Sequence, residues 1–113
     1  MVRAESGVTL NTLPLPAVLI DIRSGNILNV NEPAASAGLQ SHTALADLLL
    51  QSDDVKTWLS AREEPVAFHG GMLIQNSIWL ATAAVRRITK DGQDMLLALF
   101  MSIKEPDVHD DDA

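Results

Sequence analysis

The side chains that could carry chemistry in this sequence of 113 residues are its three histidines and its paired acids. His42 lies between two predicted helices, His69 precedes Gly70 and Gly71, and His109 lies near the end of the chain. A catalytic base or a metal ligand needs partner groups close to it, and each of these histidines stands alone. We therefore interpret them as polar residues and not as ligands.

The acids occur as adjacent pairs and as a run at the end of the chain. Asp53 with Asp54 and Glu63 with Glu64 lie at the ends of a predicted helix. Adjacent side chains do not face each other on a helix, and acids suit a helix N-terminus. The acidic run 110–112 could attract a divalent cation weakly, but it lacks the spaced ligands and the glycine turn of an EF-hand. Neither feature predicts a catalytic carboxylate pair.

Several kinds of catalytic and metal site are excluded by composition. The sequence contains no cysteine, so a disulfide framework, a thiolate zinc site, an iron–sulfur cluster and a cysteine nucleophile are all excluded. It also lacks a Walker lysine loop, a dinucleotide glycine fingerprint and the serine-hydrolase and zinc-protease motifs. We predict a domain without enzymatic activity and without a metal.

The net charge restricts the partners of the chain. It is −7, from 8 Lys and Arg against 15 Asp and Glu, and residues 105–113 hold five of the acids and no base. The body of the chain is therefore close to neutral, without the clustered positive charge that nucleic acid or an anionic membrane requires. No apolar run reaches the ~20 residues that cross a bilayer, and the N-terminus lacks the apolar segment of a signal peptide. We expect a cytoplasmic protein that binds neither nucleic acid nor membrane.

The elements that must position these side chains begin with a predicted β-hairpin. Pro14 and Pro16 exclude a helix at this point, and the apolar run 17–22 follows them. A turn signal with Gly25 leads into a second short strand over residues 27–30.

Three short helices are predicted in the middle of the chain. Asn31 is a good N-cap ahead of the alanine-rich run 34–37, and Gly38 ends that helix. A second helix covers residues 44–50. The third helix has one apolar face, formed by Val55, Trp58 and Leu59.

The last part of the chain is predicted to form three strands. They cover residues 65–75, 78–88 and 95–103. Gly70 and Gly71 suggest a bulge or bend in the first of them, Asn76 and Ser77 form a turn, and residues 90–93 form a hairpin turn. Because strands and helices are segregated, the sequence predicts an α+β fold, with an antiparallel sheet of about five strands and short helices on one face.

Two of the predicted strands are apolar on both faces. Residues 17–20 and 95–101 have apolar side chains at odd and even positions, whereas a strand with one wet face alternates. The helices can cover only one face of the sheet. The other must be covered by the N-terminal segment with Val8, Leu10 and Leu13, by a second copy of the chain, or by another domain.

The order of these elements resembles that of PAS domains over most of residues 14–105. Residues 15–35 give an apolar strand, an Asp, a glycine turn, a second apolar strand, and an Asn with small residues that opens a helix. Gly38 occupies the position of a glycine that commonly follows this helix. The long strand, the turn at Asp91 and Gly92, and the apolar strand ending at residue 105 match the C-terminal part of the family.

The resemblance implies a non-catalytic sensory and protein-interaction module, most commonly of a bacterial sensor histidine kinase. It divides the chain into an N-terminal cap or lead-in (1–13), a PAS domain (14–104) and an acidic tail or linker (105–113). PAS domains commonly dimerise through the sheet and the N-terminal cap. The homodimer interface predicted on this basis contains the apolar residues Val8, Leu10, Leu13, Val18, Ile20, Leu97, Leu99 and Met101.

PAS domains also commonly end in a Phe-x-Asp-Ile-Thr-Glu-like segment that passes the signal to the next domain. That position is occupied here by Ser102, Ile103, Lys104 and Glu105, with Ser for the Asp and Lys for the Thr. We expect signal output through this segment, to a following domain or to a partner signalling protein.

No PAS cofactor is predicted. The flavin of light-oxygen-voltage sensors and the chromophore of photoactive yellow proteins need a cysteine, which the chain lacks. Haem sensors of the oxygen-sensing type take an axial histidine from the helix before the third strand, and residues 54–61 contain none. A small-ligand pocket between helices and sheet would be lined by Trp58, Phe68, Met72, Thr82 and Met101, unless these residues simply fill the core.

Three functions follow from this reasoning. The first is a dimerising signal-relay module. The second is a sensor of the same fold that binds a small apolar metabolite or haem. The third is a free-standing adaptor whose sheet docks a strand or a helix of a partner protein.

Overall fold

The computed structural model of the chain describes residues 14–105. Within these residues the strands are β1 (Ala17–Asp21), β2 (Ile27–Val30), β3 (Val66–Ile74), β4 (Ser77–Lys90) and β5 (Gln93–Lys104). The helices are α1 (Glu32–Ser36), α2 (Leu45–Leu48) and α3 (Ser52–Leu59), and all three fall between β2 and β3. The predicted order of two strands, three short helices and three strands is confirmed.

The strands form one five-stranded sheet in the order β2-β1-β5-β4-β3. All neighbouring strands are antiparallel, which confirms the predicted α+β fold. This order places the first and last strands side by side at the centre of the sheet. The backbone N–H of Phe100 in β5 donates to the carbonyl of Pro16, just before β1, at 2.8 Å.

Two-residue turns connect the last three strands. Gln75 and Asn76 have φ of 50° and 68°, and Asp91 and Gly92 have φ of 55° and 76°. Positive φ at both central residues is the geometry that matches the twist of a tight hairpin. The turn at Asp91 and Gly92 is as predicted, whereas the other lies one residue earlier than predicted, because Ser77 already pairs with Ile74.

The bulge predicted at Gly70 and Gly71 is wrong. The β3–β4 pairing runs through both glycines without a register shift. A Cβ at Gly71 would lie 2.6 Å from Leu50 Cδ1, so this glycine leaves room for a side chain that packs on the strand. The bulge occurs in β5 instead, where Phe100 pairs with Ala83 and Ser102 with Thr82, leaving Met101 as the extra residue.

The helices cover one face of the sheet, which we call the inner face. Its core contains Val18, Ile20, Ile27, Val85, Leu96 and Phe100 from the strands and Leu45, Leu48 and Trp58 from the helices. The opposite side of the sheet is called the outer face. Asn31, which is 1% exposed, caps α1 by accepting a hydrogen bond from the backbone N–H of Ala34 at 3.0 Å, as predicted.

Candidate functional site

The outer face is apolar across the two central strands. Ala17 is fully buried and Leu19 is 7% exposed, although both alternate with Val18 and Ile20 of the inner core. The partly buried residues packed against this pair are Leu28, Ile88, Leu97 and Leu99. Strand β1 is therefore buried on both faces, which explains its apolar residues at both parities.

The predicted interface residues divide between the two faces. Val18 and Ile20 are fully buried in the inner core, so these two side chains do not lie on the outer face. Leu97 and Leu99 belong to the outer face, and Met101 is 48% exposed. The predicted residues Val8, Leu10 and Leu13 lie outside the described residues.

A second apolar region of the outer face is exposed and lies near the β3–β4 turn. We define the hairpin-end patch as Leu50, Leu73, Ile78 and Leu80, whose exposed fractions are 47%, 38%, 50% and 39%. Leu73 and Ile78 are direct cross-strand partners, and Leu80 pairs with Gly71, over which Leu50 lies. Contiguous exposed apolar side chains of this kind mark interaction surfaces in soluble proteins.

A row of polar side chains separates these two apolar regions. The ring nitrogen Nδ1 of His69 lies 2.8 Å from Thr82 Oγ1, and Thr82 is the direct partner of Ser102 on β5. We define these three residues as the polar row. Ser102 is next to Thr82 because of the bulge, which reverses the alternation of β5 after Phe100.

The same bulge determines the geometry of the output segment. Ser102 lies on the outer face, whereas Ile103 packs against the inner core. Lys104 pairs with Leu80 at the edge of the hairpin-end patch, and Glu105 follows the strand. The side chains of the predicted output residues 102–104 therefore alternate between the outer and the inner face of the sheet.

The residues of the predicted ligand pocket are not all on one side of the sheet. Trp58, Phe68 and Met72 are buried in the inner core, and the Trp58 ring meets that of Phe68 edge-on at a centroid distance of 5.2 Å. Thr82 lies on the outer face by the alternation of β4, and Met101, the extra residue of the bulge, is 48% exposed and not part of the inner core. The structure brings together only the first three.

Trp58 has one unusual feature at the centre of the core. It is 1% exposed, and its indole ring also lies 6.1 Å from the ring of Phe100. Among the described residues, the indole Nε1 is the one buried side-chain polar atom without a hydrogen-bond partner. A buried donor that lacks a partner costs about 1–3 kcal/mol, so the core retains a site that could donate to an acceptor.

An open cleft of about 530 Å³ lies at the other end of the sheet, where the β1–β2 turn meets the β4–β5 hairpin. Its charged lining residues are Asp21, Arg23, Arg87 and Asp94. Arg87 donates to Asp94 Oδ2 at 2.8 Å, and the Thr89 hydroxyl donates to Asp94 Oδ1 at 2.9 Å. The Asp94 carboxylate thus joins β4 to β5 next to their hairpin turn.

The pKa values of both carboxyls reflect these contacts. The hydrogen bond from Thr89, followed by that from Arg87, lowers the pKa of Asp94 from its ordinary value of 3.8. The hydrogen bond from the Ser24 hydroxyl, at 2.8 Å, lowers the pKa of Asp21. Both groups are ionised at neutral pH, and neither is tuned for proton transfer there.

Residues 14–105 contain neither a metal-binding cluster nor a membrane-spanning helix. No group of three or more His, Asp or Glu side chains has a geometry that could hold a metal ion. In the same part of the chain, no helix is both long enough and apolar enough to cross a membrane.

Sequence reasoning missed the hairpin-end patch and the polar row. Both depend on the β3–β4 register, which the turn at Gln75 and Asn76 determines. The register places on the outer face the side chains of Leu73, Ile78 and Leu80. It places those of His69 and Thr82 on the same face. The correct turn position, with two residues that tolerate positive φ, was the signal that could have found them.

The sequence was compared with known families, proteins and structures. No protein-family model matches it, and no curated protein sequence matches it significantly. Solved structures do match. The PAS domain of an HTR-like protein from Haloarcula marismortui superposes with a TM-score of 0.67 at 21% identity, covering 86% of this chain and 88% of that one.

Two further structures are similar over nearly their whole length. The PAS domain of nitrogen regulation protein NR(II) from Vibrio parahaemolyticus has a TM-score of 0.66 at 18% identity, covering 89% of this chain and 99% of that one. A PAS domain from a two-component sensor histidine kinase has a TM-score of 0.63 at 12% identity, covering 88% of this chain and 94% of that one. The chain therefore has the PAS fold, as its resemblance predicted.

Proposed function

We propose that this chain is a sensory and protein-interaction module of a cytoplasmic signalling protein, most specifically of a sensor histidine kinase. It pairs with a second copy through the outer face and relays a signal through residues 102–105, without catalysis of its own. Two of the similar structures are PAS domains of a nitrogen regulation protein and of a sensor histidine kinase, which supports this class.

The observation that carries the proposal is the apolar character of the outer face. It combines a covered region around Leu19 with the exposed hairpin-end patch, on the side of the sheet opposite the helices. The five strands have 5, 4, 9, 14 and 12 residues. At ~3.3 Å per residue and ~4.8 Å between strands, the sheet has a face of roughly 700 Å². This is of the same order as the ~800 Å² that a standard interface buries per partner.

Strand β5 connects this face to the output segment. Leu97 and Leu99 lie on the outer face, Ser102 to Lys104 complete the same strand, and Glu105 follows it. A change in packing against the outer face acts directly on β5 and so on the residues that leave it. The hydrogen bond between Phe100 and Pro16 ties this movement to the start of the domain.

Sedimentation equilibrium over a range of micromolar concentrations tests self-association. We expect a dimer, and we expect Leu80→Asp to dissociate it by placing a charge in the hairpin-end patch. The matched control is Val66→Asp, because Val66 has the same 39% exposure but alternates to the other side of β3. A monomer at every concentration, or equal loss of the dimer in both variants, would contradict the proposal.

The unpartnered indole of Trp58 favours a second candidate function, a small-ligand sensor. Such a ligand would accept the Nε1–H bond within the core, beside Phe68 and Met72. Native mass spectrometry of the purified chain tests it, and a retained mass that Trp58→Phe abolishes is the expected result. A chain of bare mass, purified without denaturation, would count against this candidate.

A further inference from the structure

The polar row has a position and a chemistry that the apolar outer face does not otherwise provide. Its three members come from β3, β4 and β5 at one level of the sheet, with His69 Nδ1 bonded to Thr82 Oγ1 at 2.8 Å. Gly71, Leu80 and the hairpin-end patch lie on one side of the row. Ala67, Ala84 and Leu99 lie on the other, as the cross-strand pairs show.

We propose that the polar row lies at the two-fold axis of a dimer formed through the outer face, and that protonation of His69 separates the two copies. The inference rests on the proposed self-association and adds its register and its regulation. The occupant of the face is a second copy of this chain.

The chemistry of the row is complementary to itself, which is what a two-fold contact requires. The hydroxyls of Thr82 and Ser102 each donate and accept, and a neutral imidazole does the same through its two nitrogens. Two copies of the row can therefore satisfy each other when the axis passes between them. A shift of register would place these groups against leucine side chains and leave them without partners.

The position of the polar row on the outer face is also compatible with a two-fold axis along it. Apolar side chains flank it on both sides, and rotation about the row places the hairpin-end patch of one copy opposite Ala67 and Ala84 of its partner, beside Leu99 on the adjacent strand. Both halves of the face then contribute to one interface.

In such a pair, a protonated His69 would lie near further positive charges. Lys104 and Arg86 alternate to the outer face on the neighbouring strands. Strands β3 and β4 contain no acidic residue, and Asp94 of β5 alternates to the inner face. From the helices, the Asp54 carboxylate approaches Gly70 on the inner side of β3. A second proton-bearing imidazole from the partner would add like charge to a desolvated, already basic surface.

The dissociation constant measured across the histidine titration range tests this inference. For the full chain we expect it to rise at least about tenfold between about pH 7.5 and about pH 5.5, because up to two protons are taken up as each dimer separates. The variant His69→Gln keeps a neutral hydrogen-bonding side chain, so it should remain dimeric and lose this pH dependence. The chain has three histidines, and the controls His42→Asn and His109→Asn should retain it.

Cross-linking tests the position of the axis. The chain has no cysteine, so a single Thr82→Cys substitution provides one defined thiol. We expect oxidation to give a disulfide-linked dimer, since the two sulfur atoms face each other across the axis. Ala35→Cys, which places the thiol at an exposed position of α1 on the helical side, should give no disulfide-linked dimer after oxidation.

The outcomes separate this inference from the function on which it rests. A chain that is monomeric at both pH values overturns the self-association itself. A dimer whose dissociation constant is unchanged by pH, or whose pH dependence survives in His69→Gln, overturns only the role of His69. A dimer that does not cross-link through Thr82→Cys while the Leu80→Asp substitution dissociates it overturns the two-fold register.

Discussion

Asn31 accepts a hydrogen bond from the backbone N–H of Ala17, 14 residues earlier in the chain, at a distance of 2.9 Å. The same Oδ1 caps α1, and the Nδ2 group donates to the carbonyl of Leu15 at 2.8 Å. A single buried side chain therefore joins the start of β1, the end of β2 and the first turn of α1.

Replacing Asn31 should destabilise the fold strongly. Asn31→Ala removes a helix cap, which contributes about 1 kcal/mol, and leaves buried backbone donors without partners at about 1–3 kcal/mol. We expect the free energy of unfolding in urea to fall by about 2–4 kcal/mol on these grounds. Asn29→Ala, at an exposed position of β2, is the control and should change it by less than about 0.5 kcal/mol. Similar losses in the two variants would refute the bridging role of Asn31.

Gly38 is required where α1 meets the β3–β4 hairpin. Its φ is 101°, and a Cβ at this position would lie 2.8 Å from Ile74 Cγ2. Gly38→Ala should therefore cost more than the ~1–2 kcal/mol of a left-handed conformation alone. Gly25→Ala provides the control, because Gly25 has φ of 73° but no atom within 4 Å of the added Cβ. The midpoint temperature of thermal unfolding should be lower for Gly38→Ala than for Gly25→Ala, and the reverse order would contradict the packing argument.

Trp58 should dominate the stability of the inner core. Trp58→Ala removes a side chain that is 1% exposed and packed against Phe68 and Phe100, so we expect a loss of about 3–5 kcal/mol. Trp79 is only partly buried, and Trp79→Ala should cost distinctly less. Chemical denaturation of both variants, followed by circular dichroism, measures the difference. Equal losses would show that the core does not depend on the ring of Trp58.

The pKa of Asp94 should rise towards its ordinary value when its hydrogen bonds are removed. Thr89→Val removes the larger cause of the lowered pKa and Arg87→Gln the next one. The pKa of Asp94 is lower in the folded than in the unfolded protein. The contact therefore stabilises the fold fully at pH values above the ordinary pKa of 3.8, and this contribution is lost as the pH falls through the folded pKa. Titration of the carboxyl carbon by NMR gives the pKa directly.

A reciprocal control separates the Asp94 contacts from general effects of substitution. The Ser24 hydroxyl is the main cause of the lowered pKa of Asp21. Ser24→Ala should therefore raise the pKa of Asp21 and leave that of Asp94 unchanged. The contact model would be wrong if Ser24→Ala shifted Asp94 as much as Thr89→Val does.

Local signals in the sequence predicted the elements and their order along the chain well. Proline at 14 and 16, the cap at Asn31 and the turn at Asp91 and Gly92 act within a few residues, so they can be identified without the fold. The apolar residues at both parities of β1 and β5 correctly predicted strands buried on two sides.

The assignment of side chains to a face could not be predicted in the same way. It depends on register, and one extra residue at Met101 exchanges the faces of Ser102 and Ile103. Nothing local distinguishes this position from the neighbouring apolar residues. Glycines at 70 and 71 suggested a bulge, but the space that Gly71 provides is used by Leu50, which is more than 20 positions away in the chain.

The contact between Pro16 and Phe100 has a mechanical consequence. The two central strands are antiparallel, so the segments before β1 and after β5 leave the sheet at the same end. A force that pulls Pro16 and Phe100 apart loads their hydrogen bond first, then the pair Ala17–Leu99 and each following pair in turn, up to Asp21–Met95. The pairing between β1 and β5 therefore breaks one residue pair at a time. This requires a smaller force than pulling the two strands along their length, which loads all the pairs together.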